Sequence, residues 1–96
     1  MLARGEDNAT MRFALGSAYL NAGSLDKAVG HLGVAVTLDP DYSAAWKLLG
    51  KAQTEAGLPT AAIEAYRRGI EVATRRGDRQ AVREMQVFLK RLEKTD

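Results

Sequence analysis

Slid over itself by 34 residues, the 96-residue chain matches its own sequence. Leu15 falls on Leu49, Gly16 on Gly50, Ala18 on Ala52, Ala22 on Ala56, Gly23 on Gly57 and Ala28 on Ala62. Conservative matches continue with Val29 over Ile63, Val36 over Ile70 and Leu38 over Val72. A fixed period of this length implies a supersecondary unit that cannot bury its apolar face alone and stacks on its own copy. The abundance of alanine and the lack of apolar–polar alternation make the unit helical, so the chain is expected to be all-α.

The punctuation between matched segments sets the helix ends. Asp7 or Asn8 can accept from free N–H groups and start a first helix at Ala9, which Gly23 ends. Ser24 is placed to cap a second helix, with Asp26 in its first turn, and Asp39-Pro40 stops it at about Leu38. Asp41 or Ser43 is expected to cap a third helix ending at Gly57. Pro59 suits the first turn of a fourth, which runs on to Arg75-Arg76 and Gly77. Asp78 then caps a fifth over 79–94, whose stripe Val82, Met85, Leu89 and Leu92 recurs every three or four residues. Its opposite side, with Arg79, Arg83, Glu84, Lys90, Arg91 and Glu93, reads as a solvated face.

The residues Leu15-Gly16, Tyr19, Ala28, Leu32, Ala35 and Pro40, then Trp46, Leu49-Gly50, Ala62 and Tyr66, resemble the tetratricopeptide repeat. This family is built of 34-residue helix–turn–helix units. The resemblance covers residues 9–74 and departs from the pattern at Arg12, Gln53, Gly69 and Thr74. It implies a short right-handed α-solenoid: a flexible lead-in over residues 1–8, repeats over 9–42 and 43–77, and a C-terminal capping helix over 78–96. Packing gives each motif residue a role. Gly16 and Gly50 admit a close helix approach, and Ala28 and Ala62 are small for the same reason. Trp46, Leu15 and Leu49 fill the space between paired helices, and Tyr66 plugs the gap to the next helix.

The family implies binding of a peptide or partner domain in a concave groove lined by the first helix of each unit, without catalysis. If Leu15, Ala18 and Ala22, and likewise Leu49, Ala52 and Ala56, face the second helices, the groove candidates follow. They are Thr10, Phe13, Ser17 and Asn21 on one helix, and Ala44, Lys47, Lys51 and Thr54 on the other, with Glu55 at the margin. Lys47 and Lys51 lie one turn apart and present two ammonium groups, so the expected ligand is acidic or ends in a carboxylate, with Phe13 as its apolar contact. The competing reading makes the lysines a solvated face and packs Phe13 on a neighbouring turn. The family's carboxylate clamp for chaperone tails is not matched: its positions fall on Phe13, Ser17 and Leu48.

Charge offers a second candidate. The net charge is +2, but residues 1–66 carry −2 and residues 67–96 carry +4. Arg67, Arg68, Arg75, Arg76, Arg79 and Arg83 form a basic cluster able to neutralise phosphates of nucleic acid or an anionic surface. No aromatics interleave with it, and Glu71, Asp78 and Glu84 interrupt it, which favours solvated helix ends. His31 is the single histidine, and there is no cysteine. Gly30-His31-Leu32-Gly33 resembles a Gly-x-x-Gly loop but falls inside a helix, where close packing explains it better. Phosphate loops, dinucleotide fingerprints, serine elbows and metal-ligand pairs are missing, so no enzyme activity, cofactor, metal or small-molecule substrate is expected. No apolar run reaches the roughly 20 residues of a membrane span, and no signal-peptide core is present, which points to a cytoplasmic protein. The edges of so short an array can stack, and a homodimer stays open as an assembly.

Overall fold

A computed structural model of the chain describes residues 7–94. Among them run five α-helices and no strand: α1 (Ala9–Asn21), α2 (Leu25–Leu38), α3 (Ser43–Glu55), α4 (Pro59–Arg75) and α5 (Arg79–Glu93). Of the expected lead-in, only Asp7 and Asn8 fall within the described residues.

The helix ends follow local chemistry. Asn8 Oδ1 accepts from the Met11 N–H at 2.8 Å, and Asp78 Oδ1 from the Ala81 N–H at 3.1 Å. Gly23, Gly57 and Gly77 adopt φ of 76–80°, the left-handed conformation that lets the chain turn directly into the next helix. At each of these turns the next N–H reaches back: Ser24 to the Tyr19 carbonyl, Leu58 to Gln53 and Asp78 to Ala73, at 2.8–2.9 Å. Two expected caps are different. The Ser24 hydroxyl makes no capping bond, and α3 is preceded by Tyr42, which has none either, with Ser43 as its first residue. Asp41 has another task. Its carboxylate receives Arg75 at 2.9 Å and its carbonyl receives Arg76 at 2.7 Å, tying the end of α4 to the α2–α3 turn.

Each helix packs chiefly on its neighbours in sequence. Beyond these, α1 touches α3 and α3 touches α5, whereas α2 and α4 do not touch. The odd helices therefore form a continuous layer and the even ones a splayed layer. The array curves with α1, α3 and α5 on the inside.

The core forms in two clusters. Leu20, Leu32, Ala35, Val36, Leu49 and Ala52 hold α1, α2 and α3 together, and Ala62, Tyr66, Ala73 and Met85 join α4 to α5. Close approach is enforced by glycine: a Cβ on Gly16 would lie 2.5 Å from Leu32 Cγ, and one on Gly50 would lie 2.7 Å from the Tyr66 ring. Gly69, where the repeat pattern has alanine, is packed by Met85 Sδ and Trp46 Cβ, so even a methyl group is too large there.

Two packing expectations are corrected. Leu15 is 41% exposed, and Ala18 and Ala22 are exposed too. The reason is that a first helix has two apolar faces. One, through Gly16 and Leu20 in α1, meets its own second helix. The other, through Leu49 and Ala52 in α3, meets the second helix of the preceding unit. In α1 that second face has no described helix against it. Close packing also fails to explain Gly30 and Gly33, since a Cβ at either would meet nothing within 4 Å.

Candidate functional site

The inner layer carries a cleft of about 400 Å³ where α3, α4 and α5 meet, lined by Lys51, Thr54, Glu55, Tyr66, Phe88, Arg91 and Leu92. Its walls are mostly apolar. Tyr66 is 2% exposed, and its ring stacks on Phe88 with centroids 5.6 Å apart. Burial holds the Tyr66 phenol above its ordinary pKa, so this polar group stays uncharged at neutral pH. The Thr54 hydroxyl donates to the Gly50 carbonyl at 2.8 Å. Two cations stand at the rim. Arg91 lies over the Phe88 ring at 5.9 Å, and neither it nor Lys51 forms an ion pair among the described residues.

Lys47 is occupied. Its Nζ donates to Glu84 Oε1 at 2.6 Å, across from α3 to α5, and Gln80 also reaches Glu84. The hydrogen bond from Lys47, and secondarily that from Gln80, holds the Glu84 carboxyl below the usual carboxylate range. Glu84, read as part of a solvated face, is half-buried and bridges two inner helices. The pair neutralises one of the two lysines and leaves Lys51 as the available cation of α3.

Of the eight groove candidates, the cleft brings together Lys51 and Thr54. Phe13 is half-buried against the first core cluster, its ring 5.0 Å from Tyr42 at the start of α3. Thr10, Asn21 and Ala44 are exposed and Ser17 half-buried, all outside the cleft. Sequence reasoning missed Tyr66 as a wall, and with it Phe88, Arg91 and Leu92 as groove residues. Phe88 lies three residues after Met85 and four before Leu92, so the helical spacing that identified the stripe also carried this signal.

The basic cluster is largely engaged within the molecule. Arg67 pairs with Glu93, Arg68 with Glu64 and Arg75 with Asp41, each at 2.9 Å. Arg76 donates to the Asp41 carbonyl, which leaves Arg79 and Arg83 outside any ion pair among the described residues. A wider hollow of about 660 Å³ beside these two, at the α4–α5 turn, has no aromatic wall. His31 stacks on Tyr19 at 5.3 Å, and Arg12, a donor only, gives a hydrogen bond to its Nδ1 at 3.0 Å. Among the described residues no group of three or more His, Cys, Asp or Glu is placed to hold a metal ion, and no helix is long and apolar enough to cross a membrane.

This architecture recurs in known proteins. Two family models, each described as tetratricopeptide repeat, match residues 9–52 and 32–78. A TPR repeat-containing protein of Pseudomonas aeruginosa is 50% identical over 94 residues, covering 98% of this chain and 90% of that protein. The solution structure of a Bordetella parapertussis protein superposes with a TM-score of 0.82 at 46% identity, over 100% of this chain and 84% of the other. The crystal structure of a tetratricopeptide repeat domain protein from Salinibacter ruber gives 0.85 at 28% identity, over 93% and 99%.

Proposed function

The chain belongs to the tetratricopeptide-repeat family, and from that membership we propose that it is a non-catalytic adaptor whose inner groove takes a protein segment bearing an apolar side chain next to a carboxylate. The observation that carries this reading is the pairing, in one cleft, of an apolar floor with two cations, Lys51 and Arg91, that form no ion pair among the described residues, although Glu55 stands at the same rim. The partly exposed Phe88 ring, backed by the buried Tyr66, supplies apolar area, where anchoring residues contribute most to affinity. The cations sit at the rim and set charge preference and association rate more than total affinity. A C-terminal carboxylate or an acidic side chain of the ligand fits equally well. So short an array offers a small contact area, and modest affinity follows.

The test is retention of native-extract proteins on the immobilised chain, repeated with variants. Lys51→Glu combined with Arg91→Glu is expected to abolish capture. Lys47→Glu, whose partner is Glu84, and Arg75→Glu, at the far turn, are expected to leave the same proteins bound. Undiminished capture by the Lys51/Arg91 variant rejects the cleft. Capture that instead disappears with Arg79→Glu and Arg83→Glu, together with salt-dependent retention of DNA or RNA, assigns binding to the basic α4–α5 surface.

A further inference from the structure

Residues 78–94 carry three acids, and each has a partner inside the molecule. Asp78 Oδ1 accepts from the Ala81 N–H at 3.1 Å, Glu84 takes Lys47 at 2.6 Å and Glu93 takes Arg67 at 2.9 Å. The cations of the same stretch are not compensated in this way. Arg79, Arg83, Lys90 and Lys94 are exposed and form no ion pair among the described residues. They stand at positions i, i+4, i+11 and i+15, which fall in one line along a helix. Met85 and Leu89 are turned to α4, and Phe88 and Arg91 to the cleft. The line of cations therefore runs down the remaining, outer side of α5, where the array ends.

We propose that this row binds the phosphate backbone of double-stranded DNA without regard to base sequence. Arg79 with Arg83, and Lys90 with Lys94, form two pairs whose centres are about 16 Å apart at a rise of about 1.5 Å per residue. Phosphates of the two strands bound a major groove about 12 Å wide, so α5 laid across it sets one pair on each strand. Gln86 and Val87, exposed between the pairs, then face the floor of that groove. Charge selects a polyanion, and what this side of α5 lacks selects the duplex. Of the apolar residues of α5 only Val87 is exposed, so there is no apolar face to sink into a bilayer. No aromatic ring stands in the row to stack unpaired bases, as the binding of single strands requires. An acidic protein surface needs buried anchors at the centre of the contact, which four charged side chains do not supply. A DNA backbone needs none of these, because release of its condensed counterions supplies the affinity.

The row is not the basic cluster expected from the sequence. Arg67, Arg68 and Arg75 of that cluster are paired, and Lys90 and Lys94 take their place beside Arg79 and Arg83. Four contacts are few. The logarithm of affinity is expected to fall against that of salt with a slope of about −3.6, so binding weakens about a hundredfold from 50 to 200 mM. A dissociation constant of about 0.1 mM at physiological salt follows, the weak end of non-specific binding. The row and the α3–α5 cleft occupy different sides of α5, so the two readings stand or fall independently.

Fluorescence anisotropy of a labelled DNA duplex of about 20 base pairs, titrated with the full chain at about 50 to 200 mM salt, tests the proposal. The substituted residues are exposed, and circular dichroism checks that each variant is folded. Binding with the stated slope is expected. Arg79→Gln and Lys90→Gln, made singly, each reduce the slope by about 0.9, and together they weaken binding at least about tenfold at the lowest salt. Lys27→Gln, which removes the same charge from α2, leaves the slope as it was. No binding at the lowest salt overturns the proposal, as does a slope indifferent to Arg79→Gln and Lys90→Gln. An equal response to Lys27→Gln overturns it too, since net charge alone is then responsible. A single strand of the same length or an RNA duplex held more tightly than the DNA refutes the placement across a wide groove. Adsorption to phosphatidylserine vesicles without binding to the duplex assigns the row to a membrane surface instead.

Discussion

Glycine has two opposite meanings in this chain, and only contacts separate them. Gly50 is required, since its Cβ would enter the Tyr66 ring. Gly30 and Gly33 sit in α2 with open space around the missing side chain, so they weaken the helix without serving packing. Gly30→Ala and Gly33→Ala are therefore expected to stabilise the fold by roughly 0.5–1 kcal/mol each, read as a raised urea midpoint. Gly50→Ala is expected to cost about 1–3 kcal/mol through overpacking, and an unchanged midpoint for it shows that α3 and α4 can separate freely. Spacing alone did not distinguish these glycines. A small residue in a helix marks either a close approach or an unfilled site, and the answer lies on the helix opposite.

At the scale of elements, α5 is more than a cap. Its apolar side covers Tyr66 and Gly69, while Glu84 and Phe88 face the inner layer. The stripe of 79–94, expected as a cap, packs against α4, and Phe88, Arg91 and Leu92 also line the cleft, because a capping stripe and a cleft wall differ only in which helix they meet. Glu84 provides a measurable sign of this arrangement. Its carboxyl is held below the ordinary range by Lys47, so the folded state binds its proton less readily than the unfolded chain. The stabilisation is present above the ordinary carboxylate range and is lost as pH falls through the lowered value. In an NMR titration the Glu84 carboxyl carbon is expected to show a depressed midpoint that moves up in Lys47→Met. A midpoint indifferent to that change means the α3–α5 bridge does not persist in solution.

The whole molecule is a one-dimensional stack in which stability passes from neighbour to neighbour. Without α5, Tyr66, Ala62 and Ala73 lose the surface that buries them, and the cleft loses a wall. A chain ending at Gly77 is expected to melt at a lower temperature than the full chain and to bind a hydrophobic dye. Met85→Ala, which deletes the fully buried side chain of that contact, is expected to cost about 2–5 kcal/mol. A truncated chain with the full chain's melting point contradicts the role given to α5.

Read alone, the 34-residue match of Trp46–Ala52 on Arg12–Ala18 determined the helical class, the pairing of helices and the positions of the turns. These depend on local chemistry that each copy repeats: glycine where φ turns positive, proline where a helix starts or stops, and alanine where helices touch. What only the tertiary structure decided is which of two apolar faces each first helix buries and which of two lysines is paired with Glu84. Leu15 and Leu49 are identical in the sequence pattern, but α2 lies against Leu49 and no described helix lies against Leu15. Lys47 and Lys51 are alike until α5 brings Glu84 to the first and Phe88 beside the second. Side-chain periodicity specifies a face, and the partner of that face is settled by residues far along the chain.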